Sequence, residues 1–139
     1  GASYGGIASA FIAFKHPEIF GNVLSMSGAY AWYPGEESWL QMIKDVEKIE
    51  HWWSNEDEKE KEWVIRQFAQ HETLPLKFYI DVGILEEKDP TGLFTSNRNF
   101  RSFLQTKGYS FSYMEFPGGH DFVCWRGSIA DGLIYLIGY

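Results

Sequence analysis

The first six residues of the chain constrain its fold more than any other segment. They read Gly-Ala-Ser-Tyr-Gly-Gly and contain the pattern Gly-x-Ser-x-Gly centred on Ser3. In that pattern a serine occupies a sharp turn between a strand and a helix, where strained backbone angles and close strand–helix approach favour glycine on both sides. The segment therefore predicts a strand before Ser3, a helix after it, and a serine hydroxyl presented on the turn.

No residue precedes Gly1 to supply that strand, so we expect the chain to be the C-terminal half of a larger protein. Its 139 residues suit one domain that buries a real core, and they show no internal repeat or linker. We therefore predict a single domain over residues 1–139, with its upstream strands outside this sequence.

Composition and charge exclude several classes of function. Apolar residues make up 45% of the chain and aromatic residues 18%, which predicts a globular fold rather than disorder. The net charge of −7 argues against nucleic acid as a partner, since phosphate contacts need clusters of Lys and Arg. No apolar run approaches the roughly 20 residues of a membrane span, so no membrane partner is expected. The single cysteine, Cys124, excludes an internal disulfide and is compatible with a reducing cytoplasm, which is the expected compartment.

Apolar periodicity and turn residues predict alternating helices and strands. The predicted helices cover residues 4–16, 36–53, 56–70, 93–107 and 122–137, and the predicted strands cover 22–27, 76–82 and 109–116. Such alternation is typical of a parallel sheet with crossover helices, so the predicted fold class is α/β with about three parallel strands. The helical stretch before the second strand is predicted to be a cap or insertion, with its acidic run as a solvated face.

A second glycine-rich turn, Gly118-Gly119-His120-Asp121, follows the last predicted strand. A serine nucleophile needs a base to take its proton, and this turn places His120 where its ring can reach across the neighbouring strand ends. A structural or solvent role is expected for the other histidines, which are His16, His51 and His71. Serine early, acid in the middle and histidine late is the chain order of the α/β-hydrolases, so the motifs predict the C-terminal half of that fold.

The acid of such a site should follow the middle strand and face the far nitrogen of His120. The segment from residue 81 to residue 89 offers four carboxylates, Asp81, Glu86, Glu87 and Asp89. Glu86 is our choice, because it lies a few residues past the strand end, where a turn brings it beneath His120. Asp121 is a weaker candidate, since adjacent residues rarely orient each other's far nitrogen.

Two donors should hold the oxyanion that forms on the attacked carbonyl. One is the backbone N–H of Tyr4, the residue after the nucleophile. The second is expected from a loop upstream of the nucleophile strand, which this sequence does not contain. The chain as given is therefore predicted to hold half of its oxyanion hole.

Four segments together resemble a known family. They are residues 1–6, the turn Ser25-Met26-Ser27-Gly28, the strand end Asp81-Val82-Gly83, and the stretch Gly118-Gly119-His120-Asp121-Phe122-Val123-Cys124-Trp125-Arg126-Gly127. The resemblance is to the putative-esterase family of α/β-hydrolases, and the branch that looks closest is the enterochelin (ferric-enterobactin) esterases. It covers essentially the whole chain, and the last stretch is its most specific part.

The resemblance implies an α/β-hydrolase fold and a serine esterase. At the matching positions Ser3 is the nucleophile, His120 the base and Glu86 the acid, with a Ser–His dyad as the alternative. It also implies hydrolysis of the ester bonds of a catechol siderophore trilactone, and so cytoplasmic release of iron in bacteria. The implied partner is a small-molecule ester such as a ferric siderophore, and neither a cofactor nor a metal ion is required.

Three residues are candidates for substrate binding, namely Trp32, Tyr30 and Arg126. The alternative for the two aromatic residues is a core or lid role, and for Arg126 it is pairing with a carboxylate of the closing helix. A net charge of −7 does not obviously suit an anionic ferric siderophore. Two other functions therefore stay open. One is a general carboxylesterase acting on acetyl, feruloyl or thioester groups. The other is an inactive fragment that acts by association, as a homo-oligomer, through an exposed sheet edge.

Overall fold

The computed structural model describes residues 1–34 and 61–138. Their helices and strands are α1 (Tyr4–Lys15), β1 (Asn22–Met26), α2 (Trp63–Ala69), β2 (Lys77–Gly83), a 3₁₀ helix (Ile84–Lys88), α3 (Leu93–Lys107), β3 (Ser110–Phe116) and α4 (Phe122–Ile137). The three strands form one parallel sheet in the order β1-β2-β3. The predicted α/β class, with three parallel strands and crossover helices, is confirmed.

Most element boundaries fall within one residue of their predictions, and the region before β2 is the exception. The predicted helix 36–53 and the first five residues of the predicted helix 56–70 lie outside the described residues. The prediction is wrong at Lys61 and Glu62, because α2 begins only at Trp63 and the backbone of Glu62 is left-handed, with φ 59°. A left-handed residue interrupts the repeating helical dihedrals, so α2 is a short helix of seven residues.

The two faces of the sheet are covered by different helices. Because side chains alternate along a strand, Phe78 and Ile80 of β2 point to one face and Tyr79 to the other. The first face packs on an aromatic-rich core drawn from α1, α2 and α3, which includes Ile7, Ala10, Val64, Phe68, Phe100 and Leu104. On the other face α4 approaches so closely that a Cβ at Gly132 would lie 2.9 Å from the Tyr79 ring. The described residues therefore form a helix–sheet–helix sandwich.

The residues before α1 extend this sheet beyond β1. Ala2 forms an isolated parallel bridge with Met26. The Met26 amide donates to the Gly1 carbonyl at 2.9 Å, and the Ser3 amide donates to the Met26 carbonyl at 2.9 Å. Residues 1–2 therefore occupy the position of a strand beside β1, as the Ser3 pattern predicts.

Parallel strands bring their carboxyl ends to one edge of the sheet, and the functional candidates lie at that edge. Ser27 follows β1, Glu86 lies in the 3₁₀ helix after β2, and His120 lies between β3 and α4. Within the described ranges, no helix combines the length and apolar character that crossing a membrane requires.

Candidate active site

Ser3 occupies a strained turn at the start of α1. Its backbone dihedrals φ and ψ are 55° and −124°, values that residues other than glycine rarely adopt. A Cβ at Gly1 would lie 2.4 Å from the Gly5 carbonyl oxygen, and a Cβ at Gly6 would lie 2.7 Å from Ser25 Oγ. A Cβ at Gly5 would meet nothing within 4 Å, so the prediction that a side chain is excluded two residues after Ser3 is wrong. The close approach that excludes a side chain is at Gly6 instead.

A continuous hydrogen-bonded chain links Ser3, His120 and Glu86. His120 Nε2 lies 2.9 Å from Ser3 Oγ, and His120 Nδ1 lies 2.8 Å from Glu86 Oε2. When Nδ1 carries the ring proton and donates to Glu86, Nε2 is left to accept the hydrogen bond from the serine hydroxyl. The imidazole is partly exposed and the carboxylate is buried, so this series of hydrogen bonds leads from the protein interior to the surface.

Glu86 is held by donors on the side away from His120. Its Oε1 accepts hydrogen bonds from Ser27 Oγ at 2.6 Å and from the Gly83 amide at 2.9 Å. The 3₁₀ helix directly after β2 turns the chain so that this side chain points back under the strand ends. Since Oε1 has two donors, Oε2 is the oxygen that faces the imidazole.

The other carboxylates near the end of β2 lie in different surroundings. Glu87 is exposed, and Asp89 accepts a hydrogen bond from the Thr91 amide at 2.7 Å. Asp121 caps α4 by accepting from the Cys124 amide at 2.9 Å. The hydrogen bonds to Cys124 lower the pKa of Asp121, whose side chain is exposed.

Asp81 is fully buried in β2 on the face covered by α4. Neither of its oxygens has a hydrogen-bond partner of normal geometry among the described residues. Burial raises the pKa of Asp81 to about 6, and the nearby Ser128 hydroxyl offsets only part of that effect. The structure therefore buries Asp81 between the sheet and α4, and it forms no hydrogen bond with His120.

Two residues that the sequence reasoning left without a role complete the surroundings of the Glu86 carboxylate. Trp125 Nε1 donates to Ser27 Oγ at 3.1 Å, and the Trp125 ring meets the His120 ring edge-on at a centroid distance of 4.8 Å. Both residues lie in segments that carried the family resemblance. The family resemblance was the one feature of the sequence that drew attention to Ser27 and Trp125. A single sequence gives no indication that their two segments are in contact.

A cavity of about 840 Å³ opens at this edge of the sheet. Its lining is mostly apolar and includes Ser3, Tyr4, Trp32, His120, Phe122 and Trp125. Tyr4 is the first residue of α1, so its backbone N–H belongs to the positively polarised start of that helix, beside the Ser3 hydroxyl. Within the described ranges, no three His, Cys, Asp or Glu side chains are grouped so as to hold a metal ion.

The three predicted substrate-binding residues have different positions. Trp32 lines the cavity, as expected of a substrate contact. Tyr30 is completely buried, donates to Ser25 Oγ at 2.9 Å and packs on Phe100, so it presents no surface to a substrate and the core alternative is the correct one. Burial raises the pKa of the Tyr30 phenol. Arg126 is exposed on α4 and is not among the described residues that line the cavity, so its role in substrate binding stays a prediction.

Comparison with known proteins identifies relatives of the whole chain. The model of the family described as "Putative esterase" matches residues 1–136. An iron(III) enterobactin esterase of Dickeya dadantii is 29% identical over 99% of this chain and 28% of its own length. An iron(III) salmochelin esterase of Escherichia coli is 28% identical over 99% of this chain and 30% of its own length.

A solved structure agrees with these sequence matches. The enterobactin esterase of Shigella flexneri, crystallised in the presence of enterobactin, superposes with a TM-score of 0.70 at 26% identity, over 97% of this chain and 29% of that protein. The chain thus spans less than a third of the length of the relatives it matches. The family match over nearly every residue confirms the resemblance carried by the motifs, and the chain belongs to the putative-esterase family of α/β-hydrolases.

Proposed function

We propose that this chain carries the catalytic centre of a serine esterase, with Ser3 as nucleophile, His120 as general base and Glu86 as the acid that orients it. The observation that carries the proposal is the unbroken chain of hydrogen bonds at 2.9 Å and 2.8 Å from Ser3 through His120 to Glu86. The positive φ of Ser3 supports it, because backbone strain of this kind is kept where it presents a reactive group.

The geometry suits acyl transfer in two stages. Ser3 Oγ attacks the ester carbonyl carbon while His120 Nε2 takes its proton, and the Tyr4 N–H donates to the oxyanion that forms. The intermediate collapses, the carbon–oxygen ester bond breaks, and His120 gives its proton to the departing alcohol. Water then attacks the acyl-serine with His120 again as base, which releases the carboxylic acid and regenerates Ser3. Glu86 accepts from Nδ1–H throughout and stabilises the positively charged ring.

The proposed substrate is a catechol siderophore trilactone, hydrolysed to release iron. The relatives named above are esterases of iron(III) enterobactin and iron(III) salmochelin. The aromatic side chains that line the cavity, Tyr4, Trp32, Phe122 and Trp125, fit flat catechol rings. The cytoplasm is the proposed compartment, since the one cysteine of this chain excludes an internal disulfide.

One observation favours a second candidate, an esterase for neutral acyl groups such as feruloyl esters. The described lining of the cavity carries two carboxylates, Asp89 and Asp121, and no Lys or Arg. Like charges repel, so this part of the cavity disfavours an anionic ferric siderophore. Values of kcat/KM for a ferric trilactone, the same trilactone without iron and a feruloyl ester would separate the candidates. A preference for the feruloyl ester over both trilactones would overturn the siderophore assignment.

Labelling with a fluorophosphonate probe, read by intact mass, tests the proposed nucleophile. We expect one probe molecule per wild-type chain and none on Ser3→Ala, whose hydrolysis of esters should fall at least about a thousandfold because the covalent route is lost. Ser102→Ala is the matched control, since Ser102 is an exposed serine whose Oγ donates to the Arg98 carbonyl oxygen, on α3. Labelling that persists in Ser3→Ala would show that the nucleophile lies elsewhere.

A further inference from the structure

Ser27 lies at the end of β1 in a backbone conformation that requires an explanation. Its φ is 45°, its side chain is fully buried, and its amide donates to the Asp81 carbonyl at 2.8 Å. A left-handed serine costs about 1–2 kcal/mol relative to ordinary backbone. Such residues persist where the surroundings hold them, and they concentrate at functional sites. This backbone turns the Ser27 hydroxyl towards the Glu86 carboxylate.

The hydrogen bonds around the Ser27 hydroxyl can run in only one direction. An indole N–H can donate but not accept, so Ser27 Oγ accepts from Trp125 Nε1 at 3.1 Å. Its own proton is then directed to Glu86 Oε1 at 2.6 Å. Together with the Gly83 amide, this donor occupies Oε1 and leaves Oε2 for the imidazole.

Trp125 contacts the base as well as the residue that holds the acid. Its ring packs edge-on against His120 at 87°, and it is itself nearly buried, with 7% of its surface exposed. The ring limits rotation of the imidazole, while the indole N–H acts on Glu86 through Ser27. One side chain therefore restrains both members of the pair that must stay aligned with Ser3.

We propose that Ser27 and Trp125 are positioning residues for ester hydrolysis: the Trp125 indole N–H orients the Ser27 hydroxyl, which fixes the Glu86 carboxylate beneath His120. The inference rests on the proposed roles of Ser3, His120 and Glu86. Neither residue touches the reacting atoms through its hydrogen bonds, so loss of the Ser27 hydroxyl should lower kcat and leave KM nearly unchanged. Trp125 also lines the cavity, so kcat rather than KM is the readout for its variant.

The test compares Ser27→Ala, Trp125→Phe and the double variant in the intact protein. Trp125→Phe keeps an aromatic ring beside His120, and it removes the N–H together with the five-membered ring of the indole. We expect kcat to fall about 10- to 100-fold in Ser27→Ala, the usual cost of losing a hydrogen bond to a charged group, and less in Trp125→Phe. Because the N–H acts through Ser27, the double variant should match Ser27→Ala within about twofold rather than multiply the two losses.

A spectroscopic readout separates positioning from general loss of stability. The proton of His120 Nδ1–H, hydrogen-bonded to Glu86, should give a low-field NMR resonance in the wild type that broadens or shifts in both single variants. Ser96→Ala is the matched control, because Ser96 is also buried but donates to the Leu93 carbonyl oxygen. Its resonance and kcat should stay at wild-type values.

Each outcome decides the question. Wild-type kcat in Ser27→Ala, or losses that multiply in the double variant, would overturn the positioning proposal while leaving the nucleophile assignment intact. Activity in Ser3→Ala would instead overturn the proposed function itself. If Ser27→Ala does not fold, Trp125→Phe alone decides, since a folded Trp125→Phe protein with wild-type kcat and an unchanged resonance contradicts the proposal.

Discussion

At the scale of single residues, two buried carboxylates in the described part of the chain have opposite surroundings. Glu86 is buried among donors, with a hydroxyl, an amide and an imidazole at hydrogen-bond distance. Asp81, five residues earlier in the chain, is buried in β2 without a normal hydrogen-bond partner among the described residues. The Ser128 hydroxyl offsets only part of the cost of burying this charge, so Asp81 lowers the stability of the fold near neutral pH.

Asp81→Asn should therefore stabilise the protein in a pH-dependent way. The folded-state pKa of about 6 lies above the ordinary value of 3.8, because burial disfavours the charged form. The folded state thus binds more protons than the unfolded state between those values, and wild-type stability falls as the pH rises through them. The variant lacks this loss. The stability of the variant relative to that of the wild type should therefore be greater at pH 7 than at pH 4 by on the order of 2 kcal/mol.

Urea denaturation of both proteins at the two pH values measures this difference. Since each protein is compared with itself across pH, any change in packing caused by the amide appears at both values and cancels. A constant difference between the two proteins at pH 4 and pH 7 would contradict a raised pKa at Asp81.

The limits of sequence reasoning are visible at individual positions. Ser3, Glu86 and His120 could be predicted as one site because a strand end followed by a particular residue type is a local signal, and the structure brings them within hydrogen-bond distance. Tyr30 was misplaced, because nothing local tells whether an aromatic residue after a strand points to the core or to the cavity. Ser27 and Trp125 were left without a role because their contact joins residues 98 positions apart.

At the scale of elements, α4 combines one tightly packed glycine with one open glycine. A Cβ at Gly132 would lie 2.7 Å from Leu24 and 2.9 Å from the Tyr79 ring, whereas a Cβ at Gly127 would meet nothing within 4 Å. Glycine lowers helix stability relative to alanine by about 1 kcal/mol. Its retention at Gly132 is explained by the close approach of helix and sheet.

Substituting the two glycines should consequently have opposite effects. Gly127→Ala should raise the free energy of unfolding by about 0.5–1 kcal/mol, since it adds helix propensity without a clash. Gly132→Ala gains the same propensity but overpacks the sheet face, so it should be less stable than Gly127→Ala by about 1–3 kcal/mol. Thermal denaturation of the pair measures the difference, and equal stability would show that the α4–sheet spacing is looser than the structure indicates.

Elements with a strong pattern and a clear end were predicted well. The helix 93–107 was predicted at the bounds of α3, because its apolar spacing is regular and Gly108 ends it in the left-handed conformation, with φ 76°. The start of α2 was predicted wrongly, because acidic residues are typical of a first helical turn and nothing in the sequence indicated the left-handed backbone of Glu62. Propensity describes what a segment favours alone, whereas this start depends on the backbone turn that precedes the helix.

At the scale of the whole molecule, the site is assembled from residues that are far apart in the chain. The Ser3–His120 hydrogen bond joins residues 117 positions apart, and the His120–Glu86 bond joins residues 34 apart. Each of these residues follows a different strand, so the register of the sheet sets their distances. Alignment of the three groups is therefore a property of the complete sheet rather than of any one loop.

This dependence has a consequence for the order of events during folding. Contacts of long sequence separation form late, because the chain between them must first lose its freedom, whereas helices form within microseconds. During refolding, far-ultraviolet circular dichroism should therefore recover before the protein reacts with a fluorophosphonate. Ser3 would then become reactive only when β3 has joined the sheet and His120 lies beside it. The rate at which probe reactivity returns would therefore measure the last stage of folding.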